Sequence, residues 1–123
     1  VRPHGHPALI VRLVLEQALE LALDERILAE YRDVLARPKF GFSDELQRSL
    51  LAALREIAVF SGLPDHSVTL PDASDEMFVE VAMAAEADAL VTGNLRHFPA
   101  EACAGVLVIS PAHFMKLWTE TPS

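Results

Sequence analysis

The sequence predicts an α/β protein in which a short parallel sheet is covered by helices on both sides. Segments with the helical spacing of apolar residues alternate with short runs of β-branched and aliphatic residues, the pattern of parallel strands joined by helices. The hydrophobic fraction is 51% and the mean hydropathy is +0.25, which favours strands buried on both faces. The length predicts one domain that spans residues 1–123.

Five helices and three strands are predicted along the chain. The helices cover about residues 7–17, 25–36, 43–62, 74–85 and 112–119, and the strands cover residues 19–23, 89–92 and 106–109. Leucines at every second position predict the first strand, although the good helix formers around them leave a longer first helix open. A further short β-branched run occupies residues 68–70.

Short polar side chains predict where the helices begin, because such a side chain accepts a hydrogen bond from a first-turn N–H that has no other partner. The predicted N-caps are Asp24, Ser43, either Asp72 or Ser74, and Ser110, which is followed by Pro111 at the first helical position. Pro38 predicts the end of the second helix.

Composition limits the environment and the partners. No apolar run reaches the ~20 residues that cross a membrane. The single cysteine, Cys103, excludes an internal disulfide and favours a cytoplasmic protein. The net charge of −8 argues against a surface that holds phosphate unaided, and it permits a site that depends on a cation or a basic protein partner.

The chemistry-bearing residues are acids and amides near predicted strand ends. The sequence contains no GxSxG, HExxH, CxxC, GxGxxG or P-loop pattern. The remaining candidates are Glu30, Asp72, Asp75, Glu76 and Asn94. Oxygen ligands of this kind select Mg²⁺ or Mn²⁺, although acids that only cap helices and face solvent would give the same pattern.

Three segments of the sequence together resemble the PIN-domain nucleases. They read ILAEYRDVLARPKF, LPDASDEMFVEVAMAAEADALVTGNLRHFP and VLVISPAHF. The resemblance is strongest to a bacterial group of toxin components of toxin–antitoxin systems, related to VapC toxins. It implies a Rossmann-like three-layer α/β/α sandwich and RNA phosphodiester cleavage that depends on Mg²⁺ or Mn²⁺. It also implies an antitoxin protein as partner and a homodimer or higher oligomer.

The resemblance assigns roles to five positions. Glu30 matches the family's helix acid, Asp75 the acid that opens the next helix, and Asn94 the polar residue after the TG turn. Thr92 supplies the neighbouring hydroxyl, and Asp72 is a possible additional acid. Glu30, Asp75 and Asp72 would hold the metal, while Asn94 and Thr92 would orient water or a phosphate oxygen.

Four further side chains are candidates for phosphate contacts, with ordinary surface charges as the alternative. They are Arg37, Lys39, Arg96 and His97.

The family's first central strand, which ends in a metal-binding Asp, has no counterpart in this sequence. The resemblance therefore predicts a sheet without its middle strand and a metal site short of one carboxylate. Two alternatives stay open: a natural protein that is longer than this sequence, or a catalytically impaired PIN-fold module that dimerises or binds an antitoxin-like partner.

Overall fold

The described residues form five α-helices and two pairs of short parallel strands. The structure is a computed structural model that describes residues 6–62 and 67–120. The α-helices are α1 (His6–Leu15), α2 (Glu25–Leu35), α3 (Asp44–Ile57), α4 (Glu76–Ala84) and α5 (Pro111–Glu120). The strands are β1 (Ala22–Leu23), β2 (Val59–Phe60), β3 (Leu90–Val91) and β4 (Val108–Ile109). Short 3₁₀ turns lie at Pro38–Phe40, Ala73–Asp75, Leu95–His97 and Ala100–Ala102.

The mixture of helices and short parallel strands confirms the predicted α/β class. The strands do not form one sheet, however: β1 pairs with β2 and β3 pairs with β4, and no strand within the described residues joins the two pairs. Leu21 and Leu23 bond to β2 through their carbonyl oxygens, so Ala22 between them directs its N–H and C=O away from β2. Val91 has the equivalent position in β3.

The predicted caps account for the helix starts. Asp24 accepts a hydrogen bond from the Ile27 N–H at 3.1 Å, and Ser43 accepts one from the Leu46 N–H at 3.1 Å. The Ser110 hydroxyl accepts a bond from the His113 N–H at 3.1 Å. These local bonds satisfy N–H groups that the helix itself leaves unpaired.

The prediction that the third helix continues to Gly62 was wrong. Helix α3 ends at Ile57, and the Val59 N–H donates to the Leu21 carbonyl at 2.8 Å, which starts β2. A β-branched and an aromatic residue follow one another at Val59–Phe60, and such residues favour strands once a partner strand is available. The β-branched run at residues 68–70 forms no strand, although Leu70 is buried.

Helix α4 joins the two halves of the core. Val81 packs with Leu23 of β1 in one buried cluster, and Val79 packs in the other, which also contains Phe98 and Cys103. Phe78 contacts both clusters. Complete burial of each such side chain contributes about 1.5–3 kcal/mol, so α4 stabilises both strand pairs at once.

An ion-pair network fastens α4 to the start of α2. Arg26 donates to Glu80 at 2.8 Å and to Asp24 at 2.8 Å. Glu80 is only 7% exposed and Asp24 9%, so both carboxylates have lost most of their contact with water. The hydrogen bond to Glu80, and then that to Asp24, raise the pKa of Arg26 against the effect of burial. The guanidinium therefore compensates two largely buried negative charges.

None of the described helices is long and apolar enough to cross a membrane.

Replacement of this guanidinium should destabilise the fold. Arg26→Met retains the aliphatic stem and leaves Glu80 without its charged partner, so we expect the free energy of unfolding to fall by about 1.5–3 kcal/mol. Chemical denaturation in urea measures this change. Arg55→Met is the matched control, because its bidentate pair with Glu25 is solvent-exposed and the loss of that pair should cost much less than the loss of Arg26. Equal losses in the two variants would contradict this account of the network.

Candidate functional site

Three potential metal ligands meet where β3 ends and α4 begins. Asp72, Asp75 and His97 each offer one ligand atom, and the three atoms all lie within 4.8 Å of one another. The two acids come from the turn before α4, while His97 lies in the 3₁₀ turn that follows β3. The carboxyl end of a parallel strand is where ligand sites of open α/β sheets usually lie.

The Asp72 carboxylate has a fixed orientation. One of its oxygens, Oδ1, accepts hydrogen bonds from the Ser74 N–H at 2.9 Å and the Ser74 hydroxyl at 2.7 Å. The hydroxyl bond, followed by the backbone bond, lowers the pKa of Asp72. Asp72 and Ser74 were the two caps predicted for the helix, but Asp72 caps the preceding 3₁₀ turn, and α4 itself has Asp75 at its N-cap with no side-chain hydrogen bond. The other oxygen of Asp72, Oδ2, has no such bond within the described residues and can act as a ligand.

Asp75 and His97 connect the two segments directly. The ring nitrogen Nδ1 of His97 lies 3.1 Å from Oδ2 of Asp75. The Asp75 side chain is 17% exposed, whereas that of His97 is 50% exposed. Asp72 is exposed as well, so the site is open to solvent and Asp75 is its most buried member.

The geometry of this group is compatible with a divalent cation. Ligands of an octahedral ion with bonds of about 2.1 Å lie about 3–4 Å apart, so small side-chain adjustments would bring these three atoms into coordination. Carboxylate oxygens suit Mg²⁺ and Mn²⁺, and an imidazole nitrogen suits transition metals better than Mg²⁺. The donor set therefore fits a divalent ion and favours Mn²⁺.

A polar cavity of about 300 Å³ lies beside His97. It is lined by Gly93, Asn94, Leu95, Arg96, His97 and Ser110. The Asn94 N–H donates to Oγ1 of Thr92 at 3.0 Å, which holds the turn after β3. The predicted Asn94 therefore lies beside His97, and Thr92 acts on the backbone of that turn.

Glu30 lies in a different depression, between α2 and the start of α4. This acidic groove has a volume of about 410 Å³. Its lining residues are Arg26, Ala29, Glu30, Asp33, Ala73, Ser74, Glu76, Met77 and Glu80. Glu30 belongs to no group of three potential ligands among the residues described. Because Ser74 lines this groove and also bonds to Asp72, the groove and the ligand group are neighbours.

Sequence reasoning missed His97 as a potential ligand. Its position in RHFP, after a strand and a polar turn, suggested a phosphate contact alone. The 3.1 Å contact with Asp75 joins residues that are 22 positions apart, and no spacing rule predicts a contact of that range. Ser110 was predicted only as a helix cap, and the structure also places it in the cavity beside Asn94.

Helices around short parallel strands, with a candidate metal site after one strand, define the class as an α/β domain. The sequence model of the PIN domain matches residues 1–96, and the chain belongs to that family. Its members are generally nucleases and usually use a divalent metal. No curated protein and no solved structure gives a significant match to the chain. The matched range contains Glu30, Asp72, Asp75 and Asn94.

Removal of the Ser74 hydroxyl should raise the pKa of Asp72. The hydrogen bonds from Ser74 lower the pKa of Asp72 in the folded state, so they stabilise the fold at any pH above the unfolded-state pKa. This stabilisation is lost as the pH falls through the folded-state pKa. NMR titration of the Asp72 carboxyl carbon in Ser74→Ala tests this expectation, with Ser49→Ala on exposed α3 as control. An unchanged Asp72 titration in Ser74→Ala would contradict the assigned cause.

Proposed function

We propose that the protein is a metal-dependent endoribonuclease whose ion binds among Asp72, Asp75 and His97. The observation that carries the proposal is the convergence of these three side chains from separate segments, in a chain of a family whose members are generally nucleases. Membership of the PIN-domain family also suggests RNA as the nucleic acid that binds.

Each of the three side chains has a distinct part in holding the ion. Asp75 lies on the more buried side of the site and contributes a carboxylate oxygen at the start of α4. Asp72 contributes the oxygen that Ser74 does not occupy, and its lowered pKa keeps it ionised in mildly acidic solution. His97 contributes a ring nitrogen from the solvent side, which is why we expect Mn²⁺ to bind more tightly than Mg²⁺.

The neighbouring polar cavity is suited to the scissile phosphate. Arg96 supplies a positive charge and Asn94 an uncharged amide there, and both can donate hydrogen bonds to phosphoryl oxygens. The Thr92 hydroxyl holds the Asn94 turn in place. A divalent ion bound beside this cavity would polarise a phosphoryl oxygen and lower the pKa of a bound water.

Glu30 would act at the edge of this site. It lies outside the three-ligand group but in the groove that Ser74 also lines, so we assign it a contact with the ion through water. The acids Glu76 and Asp33 line the same groove. This concentration of negative charge would repel a phosphate from the cleavage site until a cation binds there, and such a cation reconciles a nucleic-acid substrate with a net charge of −8.

We further propose that the protein is the toxin component of a toxin–antitoxin pair. The support is the resemblance of the three quoted segments to VapC-related proteins. An antitoxin protein and a second copy of this chain would be its protein partners.

A second candidate is an impaired PIN-fold module that acts by binding another chain. The specific observation in its favour is that, within residues 6–62 and 67–120, the strand pairs remain separate and the backbone groups of Ala22 and Val91 point away from their partner strands. Open strand edges of this kind can accept a strand from a partner.

The decisive experiment compares metal binding and RNA cleavage in the same preparations. Isothermal titration calorimetry with MnCl₂ should show that Asp75→Asn weakens Mn²⁺ binding by about 10- to 100-fold. The same titration with MgCl₂ should show weaker binding to the wild type than with MnCl₂. Cleavage of a labelled single-stranded oligoribonucleotide by Asp75→Asn should fall to the level of the wild type in EDTA. Asp88→Asn, which removes an exposed carboxylate in the turn after α4, is the matched control and should behave as wild type.

The outcomes separate the two candidates. Equal cleavage by the wild type, Asp75→Asn and the EDTA-treated protein would exclude the proposed nuclease. Metal binding at Asp75 without any RNA cleavage would leave the interaction module as the better account. If Asp88→Asn lowered Mn²⁺ affinity as much as Asp75→Asn, the effect would be one of overall charge, and the assigned site would be wrong.

A further inference from the structure

A basic-aromatic loop follows α2 and has no part in the site described above. We name the side chains of Arg37, Lys39, Phe40 and Phe42 the platform. Pro38 ends the helical hydrogen bonding, and the chain makes one 3₁₀ turn, after which Ser43 caps α3. The platform thus lies on a short loop held between two capped helices.

The loop geometry stacks the two aromatic rings against each other. Gly41 has a φ of 65°, in the left-handed region that glycine adopts most easily, and its N–H donates to the Pro38 carbonyl at 3.1 Å. This reversal places the Phe40 and Phe42 rings 5.6 Å apart with an interplanar angle of 9°. Lys39 Nζ lies 5.2 Å from the centre of the Phe40 ring.

Packing of the hydrophobic core does not account for this arrangement. Neither Phe40 nor Phe42 belongs to the two buried clusters or to the partly buried residues packed against them. Arg37 and Lys39 are exposed, and neither is part of an ion pair within the described residues. Two half-buried aromatic rings and two exposed cations, which form no ion pair with the described residues, therefore occur together on an acidic protein.

We propose that the platform binds single-stranded RNA, with an unpaired base stacked on the phenylalanine pair and its phosphates held by Arg37 and Lys39. Aromatic rings stack on any exposed base, and neighbouring cations follow the phosphate backbone. In double-stranded nucleic acid the bases already stack on one another, so the platform selects unpaired segments. A partner that is only acidic would use the two cations and have no need of the parallel rings.

The platform follows the end of α2, the helix that carries Glu30. Glu30 and Asp33 line that groove from one side of α2, and Arg37 follows Asp33 by four positions. With a rise of about 1.5 Å per residue, the helix separates Glu30 from the platform by only about 10 Å. An RNA strand held at the platform would therefore run along α2 towards the proposed cleavage site. The choice of RNA rests on the proposed function, whereas the binding mode rests on the platform itself.

Fluorescence anisotropy with a labelled oligouridine, in EDTA to prevent cleavage, tests the platform independently of catalysis. We expect Phe42→Leu to weaken binding at least about fivefold, because it keeps an apolar side chain and removes the flat face. We expect Lys39→Ala to reduce the slope of log affinity against log salt concentration by about one, which corresponds to the loss of one phosphate contact. A duplex of the same length should bind more weakly than the single strand.

Helix α5 offers matched controls. Phe114 and Trp118 form another stacked pair, with ring centres 6.4 Å apart, and Lys116 lies between them in sequence. Phe114→Leu and Lys116→Ala should leave RNA affinity unchanged. Thermal unfolding followed by circular dichroism checks that each variant is folded.

Phe42→Trp provides a second readout that does not depend on loss of binding. Stacking of a base on the new indole should quench its fluorescence when oligouridine is added, while the wild type, which contains Trp118 alone, should show no quenching. Unchanged emission from Phe42→Trp at saturating RNA would overturn the stacking assignment even if Phe42→Leu did not fold.

The remaining outcomes distinguish this inference from the proposed nuclease. The platform assignment is overturned if Phe42→Leu binds RNA as tightly as the wild type, or if polyglutamate displaces RNA equally well from the wild type and from Phe42→Leu. Cleavage that depends on Asp75 can stand in either case. Equal affinity for duplex and single strand would also overturn it. If the platform variants lose binding but the wild type cleaves no RNA in Mn²⁺, the platform stands and the proposed nuclease fails.

Discussion

The packing of α4 between the two strand pairs is the constraint on which the rest of the structure depends. Each pair has only two residues per strand, and strands this short are not stable by themselves. Val81 and Val79 of α4 enter different buried clusters, and Phe78 contacts both. The helix therefore supplies the apolar surface against which both pairs can form, in place of a continuous sheet.

This packing also determines where the site can be. Asp72 and Asp75 lie in the turn that leads into α4, and His97 lies in the turn that leaves β3. Because α4 packs against β3, these turns lie at the same end of the domain and their side chains meet. At the other side of the helix, Glu80 bonds to Arg26 and ties α4 to α2, which carries Glu30. A shift of α4 would therefore disturb the ligand group and the acidic groove together.

Features set by local hydrogen bonding could be predicted from the sequence, and those set by long-range pairing could not. Asp24, Ser43 and Ser110 were recognisable as caps because each bonds to an N–H three residues ahead. Strand β2 was missed because its formation depends on a bond from Val59 to Leu21, far away in the sequence. The prediction instead placed the helix end at Gly62, because glycine commonly follows the last turn of a helix.

The same distinction holds for the site. Asp72 and Asp75 were identifiable because a cluster of acids precedes a helix, and the structure places them together. His97 joins them only through tertiary packing, so its place beside Asp75 was not predictable. Glu30 was expected near a strand end, and its position in the neighbouring groove depends on how α2 packs on α4.

The measurement that tests the central claim most directly is the paramagnetic effect of Mn²⁺ on the ¹⁵N–¹H spectrum of the protein. The claim is that Asp72, Asp75 and His97 share one divalent ion. At substoichiometric Mn²⁺, the account predicts that amide signals broaden first and together in the turns around residues 72–75 and 95–97. Broadening centred on the α2 groove around Glu30, or spread over exposed acids while the turn containing His97 is unaffected, would contradict it.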